Sequence, residues 1–351
     1  MKWPLSFREP RRCALQKMAR EGQTNYQGEP MSRILIALLF AVMLPGGTAA
    51  QSYPSAPIRV IVPFAPGAST DMLARTVMDK VRQNMGVTII VENQAGASGN
   101  LGMNTVARAQ PNGYTLGIAS GTTHTIGPAL KRKMPFDPIK DFTFISTMAK
   151  YISILTVHPS VPAGNLNEFI AYARKNPGVL SYASAGTGSS THLLAEMLQQ
   201  AGKFEMTHVP FRGGGQGLQD MVGGHVPVAV ISIAGVSSLI KEGKLRGLAV
   251  FEKERYNAFP DIPAVTESLP SMNPIISWFG LVGPAGMDGA IVTKLNAEVV
   301  KALQASDVRQ KLDPLAFIML GGPPQEFVNR VRDDIAAWSK VVAAGNIRIE
   351  Q

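Results

Sequence analysis

The chain has 351 residues, of which 45% are hydrophobic and 17% charged, a composition of folded proteins that excludes collagen, coiled coil and extended disorder. Single cores stop growing near ~250 to 300 residues, so two lobes are expected. The formal charge of +9 suggests a nucleic-acid or membrane partner, but residues 1–50 hold seven Lys/Arg against three Asp/Glu. Their removal takes +4 away and leaves a mildly basic +5, so no nucleic-acid partner is expected.

Taken in chain order, the first feature is the apolar run Ile34 to Leu44, preceded by Met31-Ser32-Arg33 and followed by Pro45 to Ala50. A short cationic start, 11 apolar residues and a small-residue exit predict a secretory signal peptide cut after Ala50. A membrane span needs ~20 apolar residues, so the run is too short to be a permanent anchor. Met31 is the expected start. Residues 1–30 then form a non-native or disordered extension, and 31–50 the signal peptide. Arg11-Arg12 lies too far upstream of the apolar run for a twin-arginine signal. The sole cysteine, Cys13, lies in the extension, so the exported part is expected to have no disulfide, thiol chemistry or thiolate metal site. No Cys marks the cleavage point for a lipid, which predicts a free periplasmic protein.

The exported part alternates strand and helix patterns. Arg59–Phe64, Thr88–Glu92, Tyr114–Ala119, Phe142–Met148 and Ile154–His158 read as strands, with helices over Asp71–Met85 and Leu101–Ala109. A second series follows. Asn165 with Glu168 forms a capping pair for a helix over Leu166–Asn176, ended by Pro177-Gly178. Strands are predicted at Leu180–Ala183, Met206–Phe211, Val226–Ile231, Leu245–Val250 and Trp278–Val282. Helices are predicted at Thr191–Gly202, Gln216–Val222, Ala290–Leu303 and Gln325–Ala344. This grammar predicts an α/β protein with largely parallel sheets. One lobe is expected from residues 51–152 and 276–351 and the other from 153–275, with the chain crossing between them on strands.

Catalytic motifs fit poorly. Gly186-Thr187-Gly188 has two glycines of a dinucleotide fingerprint, but Thr191 stands where the third belongs. Gly96-Ala97-Ser98-Gly99-Asn100 fails the nucleophile elbow at its fifth position. Ser238-x-x-Lys241 lacks its Ser-Asp-Asn and Lys-Thr-Gly partners. The five His (His124, His158, His192, His208, His225) show no i, i+4 pair, so no metal site and no cofactor are expected.

A different device recurs: a strand, a loop of Gly, Ala, Ser and Thr, then a helix start. Pro63 to Asp71 is one case and Ala183 to His192 another, while Gln94 to Asn100 resembles them and suits the floor of a site. The free amides and dipole of a helix start hold an anion without Lys or Arg. Ser69, Thr70, Asp71, Ser190 and Thr191 are equally good helix caps, and for either loop alone capping explains them. Two such loops at carboxyl ends of strands, one per lobe, sit where α/β sheets bind ligands.

These motifs resemble a known family. Tyr53-Pro54 with Pro57-Ile58-Arg59, Ile61 to Asp71 (IVPFAPG-x-x-TD), Val91-Glu92-Asn93 with Gly96-Ala97, and Pro111 to Leu116 are similar to the exported solute receptors of tripartite tricarboxylate transporters, the Bug receptors. So are Pro135 to Pro138 with Lys140-Asp141-Phe142, His158 to Pro162, Gly186 to Leu193, Val209 to Gly214, and Trp278 to Leu281 with Pro284-Ala285-Gly286; the likeness covers residues 53–345. It implies an α/β two-lobed periplasmic binding protein of type II, with a ligand cleft between lobes, two crossing strands, and a carboxylate held by the two loops and ordered water. Carried over by position, the site is Ala68, Ser69, Thr70 and Asp71 with Ala185, Gly186, Thr187, Ser190 and Thr191. Ala68-Ser69 depart from the family's usual glycines, and Gly223-Gly224-His225-Val226-Pro227 lacks its usual Asp.

Other residues invite two readings each. His192 suits a ligand donor or a capping residue, Arg212 a carboxylate clamp or a surface cation, and Trp278 and Phe279 a cleft wall or hinge packing. Asp71, beside a negative ligand, is expected either to turn back as a cap or to meet a ligand amine. The leading function is a non-enzymatic, monomeric periplasmic receptor for a small carboxylate, delivering to the permease subunits of a tripartite tricarboxylate transporter. The alternatives are a hydrolase using Ser69, Ser189 or Ser190 with His192, and a ligand sensor for a signalling kinase.

Overall fold

The computed structural model describes residues 53–211 and 214–345. The expected signal peptide, the N-terminal extension, Cys13 and Arg212 lie outside the described residues. The first sheet has the order β11-β4-β10-β3-β1-β2 and is built from β1 (Ile58–Val62), β2 (Ile89–Asn93), β3 (Thr115–Ser120), β4 (Phe142–Tyr151), β10 (Ser277–Pro284) and β11 (Phe317–Met319). The second has the order β7-β6-β8-β5-β9, from β5 (Ser153–Val157), β6 (Ser181–Ser184), β7 (Thr207–Pro210), β8 (Val228–Ser232) and β9 (Arg246–Val250).

The sheets are mixed, which corrects the expectation of largely parallel pairing. β1 pairs parallel with β2 and β3, and β6 with β7 and β8. β10, β11 and β5 all run antiparallel to their neighbours. For β10 and β5 the cause is the interlobe crossing: a strand that enters a sheet from the other lobe needs no βα crossover and is free to run against its neighbours. β4 leaves the first sheet at Tyr151 and, after the buried Ile152, continues as β5 in the second. The return over residues 251–276 enters β10, where Ser277 pairs with Tyr151, so both crossings lie side by side.

Helices α1 (Ser69–Met85), α2 (Asn100–Ala107), α7 (Gly289–Gln304) and α8 (Ser306–Leu312) accompany the first sheet, and α3 (Leu166–Lys175), α4 (Ser190–Gly202), α5 (Gly214–Val222) and α6 (Ile233–Lys241) the second. In α1 the buried Leu73, Ala74, Val77, Met78 and Val81 recur at helical spacing, and Gly86 ends the helix in the left-handed region. Asn165 caps α3 by accepting from the Glu168 amide, as its sequence predicts. The last helix, α9 (Pro324–Gly345), touches two cores. Phe327 and Val331 pack with Trp278 and Phe144 of the first sheet, while Trp338 belongs to the core that holds Phe169 of α3 and Leu194 of α4 beside the second sheet. No helix among the described residues is long and apolar enough to cross a membrane.

Candidate functional site

The first loop joins β1 to α1. Gly67 adopts φ +75°, a left-handed conformation that glycine tolerates best, and it turns the chain so that Ala68 becomes the extended N-cap. Alanine has no oxygen to cap with, and Met72 is the first residue whose amide reaches back, to Ala68 O at 3.0 Å. The amides of Ser69, Thr70 and Asp71 therefore lie in the turn that has no intrahelical acceptors. The Asp71 side chain turns back. It accepts from Gly67 N–H at 3.0 Å, Arg75 Nε at 2.9 Å and Asn93 Nδ2 at 2.9 Å. Burial pushes this carboxyl up, but the bonds from Arg75, Gly67 and Asn93 together hold it below its ordinary value. Of the two expectations for Asp71, the geometry matches the one in which it folds back on its own loop.

The second loop joins β6 to α4. Ser189 is the N-cap and accepts from His192 N–H at 3.2 Å. Thr191 Oγ1 accepts from Ala185 N–H at 3.0 Å and lies 3.1 Å from Ser189 Oγ, which folds the loop on itself. Ser190 N–H donates to Thr122 Oγ1 at 3.1 Å, and its Oγ lies 3.2 Å from Thr122 Oγ1 and 3.3 Å from Tyr151 OH. Tyr151 stacks on Phe279 with ring centroids 4.4 Å apart. Both partners of Ser190 belong to the first lobe, so the bonds span the cleft.

His192 stands behind this loop. Its Nδ1 accepts from Gly188 N–H at 2.9 Å, and its ring stacks on His208 with centroids 3.9 Å apart. An Nδ1 that accepts carries no proton, so the neutral ring holds its hydrogen on Nε2, which lies 3.7 Å from Glu196 Oε1. Desolvation, with repulsion from His208 and Arg132, pulls His192 down to about 3, and desolvation pulls His208 to about 4. Both ring nitrogens of His192 thus face groups other than Ser69, Ser189 or Ser190. It supports the loop; the serine–histidine pair that a hydrolase needs is not assembled on it.

The two loops meet at an inner cavity of about 80 Å³. Of the nine predicted site residues, Ala68, Ser69, Thr70, Ala185, Ser190 and Thr191 line it. Gly186 and Thr187 instead line an outer cavity of about 440 Å³, shared with Ser98, Arg132 and Lys133, and Asp71 lines neither. Sequence reasoning missed Ser120, Thr122, Tyr151, Ser232 and Gly235 of the inner cavity. Thr122 begins a π-helical turn, Thr122–Ile126, that no local pattern marks. Phe279 both walls the cavity and packs the hinge, whereas Trp278 is fully buried and donates Nε1–H to Asp334 Oδ2 at 2.6 Å. His225 is exposed and lies away from the inner cavity.

The segment expected at the floor joins the lobes. Ala97 and Ser98 adopt φ +47° and +54°, costly for residues with a Cβ, and the Ser98 hydroxyl donates to Thr187 O of the other lobe at 2.7 Å. Arg132 Nη1 donates to the same carbonyl at 3.1 Å. Gly188, at φ +72°, packs so closely that a Cβ would run into the Arg132 guanidinium.

Among the described residues no Asp, Glu, Lys, Arg or His lines the inner cavity. Amides, hydroxyls and the starts of α1 and α4 supply its donors, and Phe64, Leu218, Ile231 and Phe279 supply apolar wall. Neutral donors at helix starts suit an anion, and the described lining has no carboxylate to pair with a ligand ammonium.

A family model described as the tripartite tricarboxylate transporter family receptor matches residues 73–347. The chain belongs to this family. Among relatives of the receptor, Protein BugT of Bordetella pertussis is 29% identical over 316 residues, 89% of this chain and 97% of BugT. Among solved structures, MatC of Rhodopseudomonas palustris with bound malate superposes at TM-score 0.79 with 34% identity, covering 83% of this chain and 100% of MatC. The R. palustris protein Rpa4515 with adipate superposes at 0.81 with 31% identity, covering 84% and 99%. The periplasmic binding protein BugD superposes at 0.82 with 27% identity, covering 85% of this chain and 100% of BugD, so the architecture is the two-lobed α/β fold of periplasmic binding proteins.

Proposed function

We propose that this protein is an exported receptor that holds a small carboxylate-bearing solute in the inner cavity and delivers it to the permease subunits of a tripartite tricarboxylate transporter. The observation that carries this reading is the meeting of two helix starts, one per lobe, at a cavity whose described lining offers donors but no side-chain charge. A carboxylate satisfies those donors and draws the lobes together. The malate and adipate complexes of the two R. palustris relatives support the ligand class.

In this reading Ala68, Ser69 and Thr70 contact the carboxylate from one lobe (51–152 and 276–351), and Ala185, Ser190 and Thr191 from the other (153–275). Asp71, Gly186 and Thr187 shape the loops around it. The chain acts as a monomer without catalysis, and the segment 31–50 directs export to the periplasm. Calorimetric titration of the purified protein with mono-, di- and tricarboxylates and matched amino acids tests the reading. Saturable 1:1 binding of an acid without an amine is expected. A ligand that binds only with its ammonium group, or the absence of binding by every acid, overturns it.

A further inference from the structure

The inner cavity has a third helix start on its wall. Strand β8 ends at Ser232, which is the N-cap of α6. Ser232 and Gly235 line the same cavity as Ser69, Thr70, Ser190 and Thr191. Ser232 has the extended backbone of a capping serine, φ −66° and ψ 136°, yet its side chain caps nothing. It is only 5% exposed, and its hydroxyl has no hydrogen-bond partner. Several nearby hydroxyls are engaged: Ser189 caps α4, Ser184 bonds His208 at 2.7 Å, Ser190 and Thr122 lie 3.2 Å apart, and Thr191 accepts from Ala185 N–H; Ser153, opposite Ser232 on β5, also lacks a partner but does not line the cavity.

A buried hydroxyl without a partner is costly, and proteins leave few of them. The adjoining amide of Ile233 is used, donating to Ile152 O at 2.9 Å. The next amides of the turn have no intrahelical acceptor, and the helix dipole there favours negative charge. The same cavity also has apolar wall, from Leu218, Ile231 and Phe279.

We propose that Ser232, with the first-turn amides of α6, forms a second polar pole that takes a hydrogen-bond acceptor at the end of the solute remote from its first carboxylate. Ser232 is then a specificity-determining residue, and the solute is a bifunctional acid with a short hydrocarbon middle. The inference rests on the receptor reading. A monoacid of equal length would place a methyl group against Ser232 and leave the hydroxyl unpaired, whereas a second acceptor satisfies it.

The test is calorimetric titration of the full chain with succinate against butyrate and adipate against hexanoate, for wild type, Ser232→Ala and Thr70→Val. Wild type is expected to prefer the diacid of at least one pair. Ser232→Ala is expected to lose about ten- to hundredfold in affinity for that diacid, the range for a hydrogen bond to a charged group, with less than about threefold change for the monoacid. Thr70→Val is expected to weaken both members of the pair alike. Wild-type binding with a diacid preference unchanged in Ser232→Ala overturns the second pole and leaves the receptor reading standing. Failure of wild type to bind any of the four acids overturns both.

Discussion

Replacing Asp71 by Asn separates the structural role of this carboxylate from a direct role in binding. The side chain is 6% exposed and takes three donors, from Gly67, Arg75 and Asn93, at 2.9 to 3.0 Å. An Asn amide keeps one acceptor oxygen and turns its NH₂ toward at least one of those donors, so at least one charge-assisted bond is lost, worth about 1.5–3 kcal/mol. The ion pair with Arg75 adds little, because that side chain is 51% exposed and such pairs contribute at most ~1 kcal/mol. The variant should therefore lose about 2–4 kcal/mol of stability in denaturant unfolding. Its affinity for the acid, measured by calorimetry, should fall less than about tenfold, since the amides of Ser69 and Thr70 remain. The opposite pattern, unchanged stability with a tenfold or greater loss of affinity, would refute the assignment and place Asp71 against the ligand. The pH dependence has a fixed sign. The folded carboxyl titrates below its unfolded value, so its contribution is complete above the unfolded value of about 3.9 and is lost as pH falls through the folded one.

Thr70→Val and Thr191→Val should differ. Thr191 supports the Ala185 amide, so its loss should cost about 1–3 kcal/mol of stability as well as affinity, whereas Thr70→Val should weaken binding and leave the melting temperature unchanged. Ser98→Ala removes a bond that exists only across the lobes. Affinity should fall about three- to tenfold with no ligand contact altered, and small-angle scattering should show a larger open fraction at subsaturating acid. His192 and His208 stay neutral when folded, at about 3 and 4, while the unfolded rings accept protons below about 6.5. Stability should therefore fall as pH drops from about 6.5 toward 4, by about 1–2 kcal/mol per ring by pH 5. Equal unfolding free energies at pH 7 and pH 5 would contradict the buried neutral pair.

Much of the fold was legible because its elements are local. The apolar spacing of α1, the Asn165–Glu168 cap and the strand runs each announce themselves within a few residues. What escaped depends on contacts distant in sequence. Antiparallel pairing of β10 between β3 and β4 follows from the chain's return to the first lobe, which no window of sequence contains. Helix α6 escaped because Ile233–Lys241 follows an apolar strand with Ser232 as the single polar residue between them, and with it went Ser232. The two anion loops were legible as loops, but their division of labour was not. Ala68 is the N-cap while Asp71 turns back, held by Asn93 of β2, and Gly186 and Thr187 serve the outer cavity, where Ser98 of the other lobe holds the Thr187 carbonyl.

The measurement that bears most directly on the central claim is a crystal structure of the protein with the tightest-binding acid from the titration series. One carboxylate is expected within hydrogen-bond distance of the Ser69 and Thr70 amides or hydroxyls and of the Ala185–Thr191 loop, with no Arg or Lys touching it. A carboxylate paired with an arginine or lysine side chain, or a ligand seated outside the inner cavity, would contradict it.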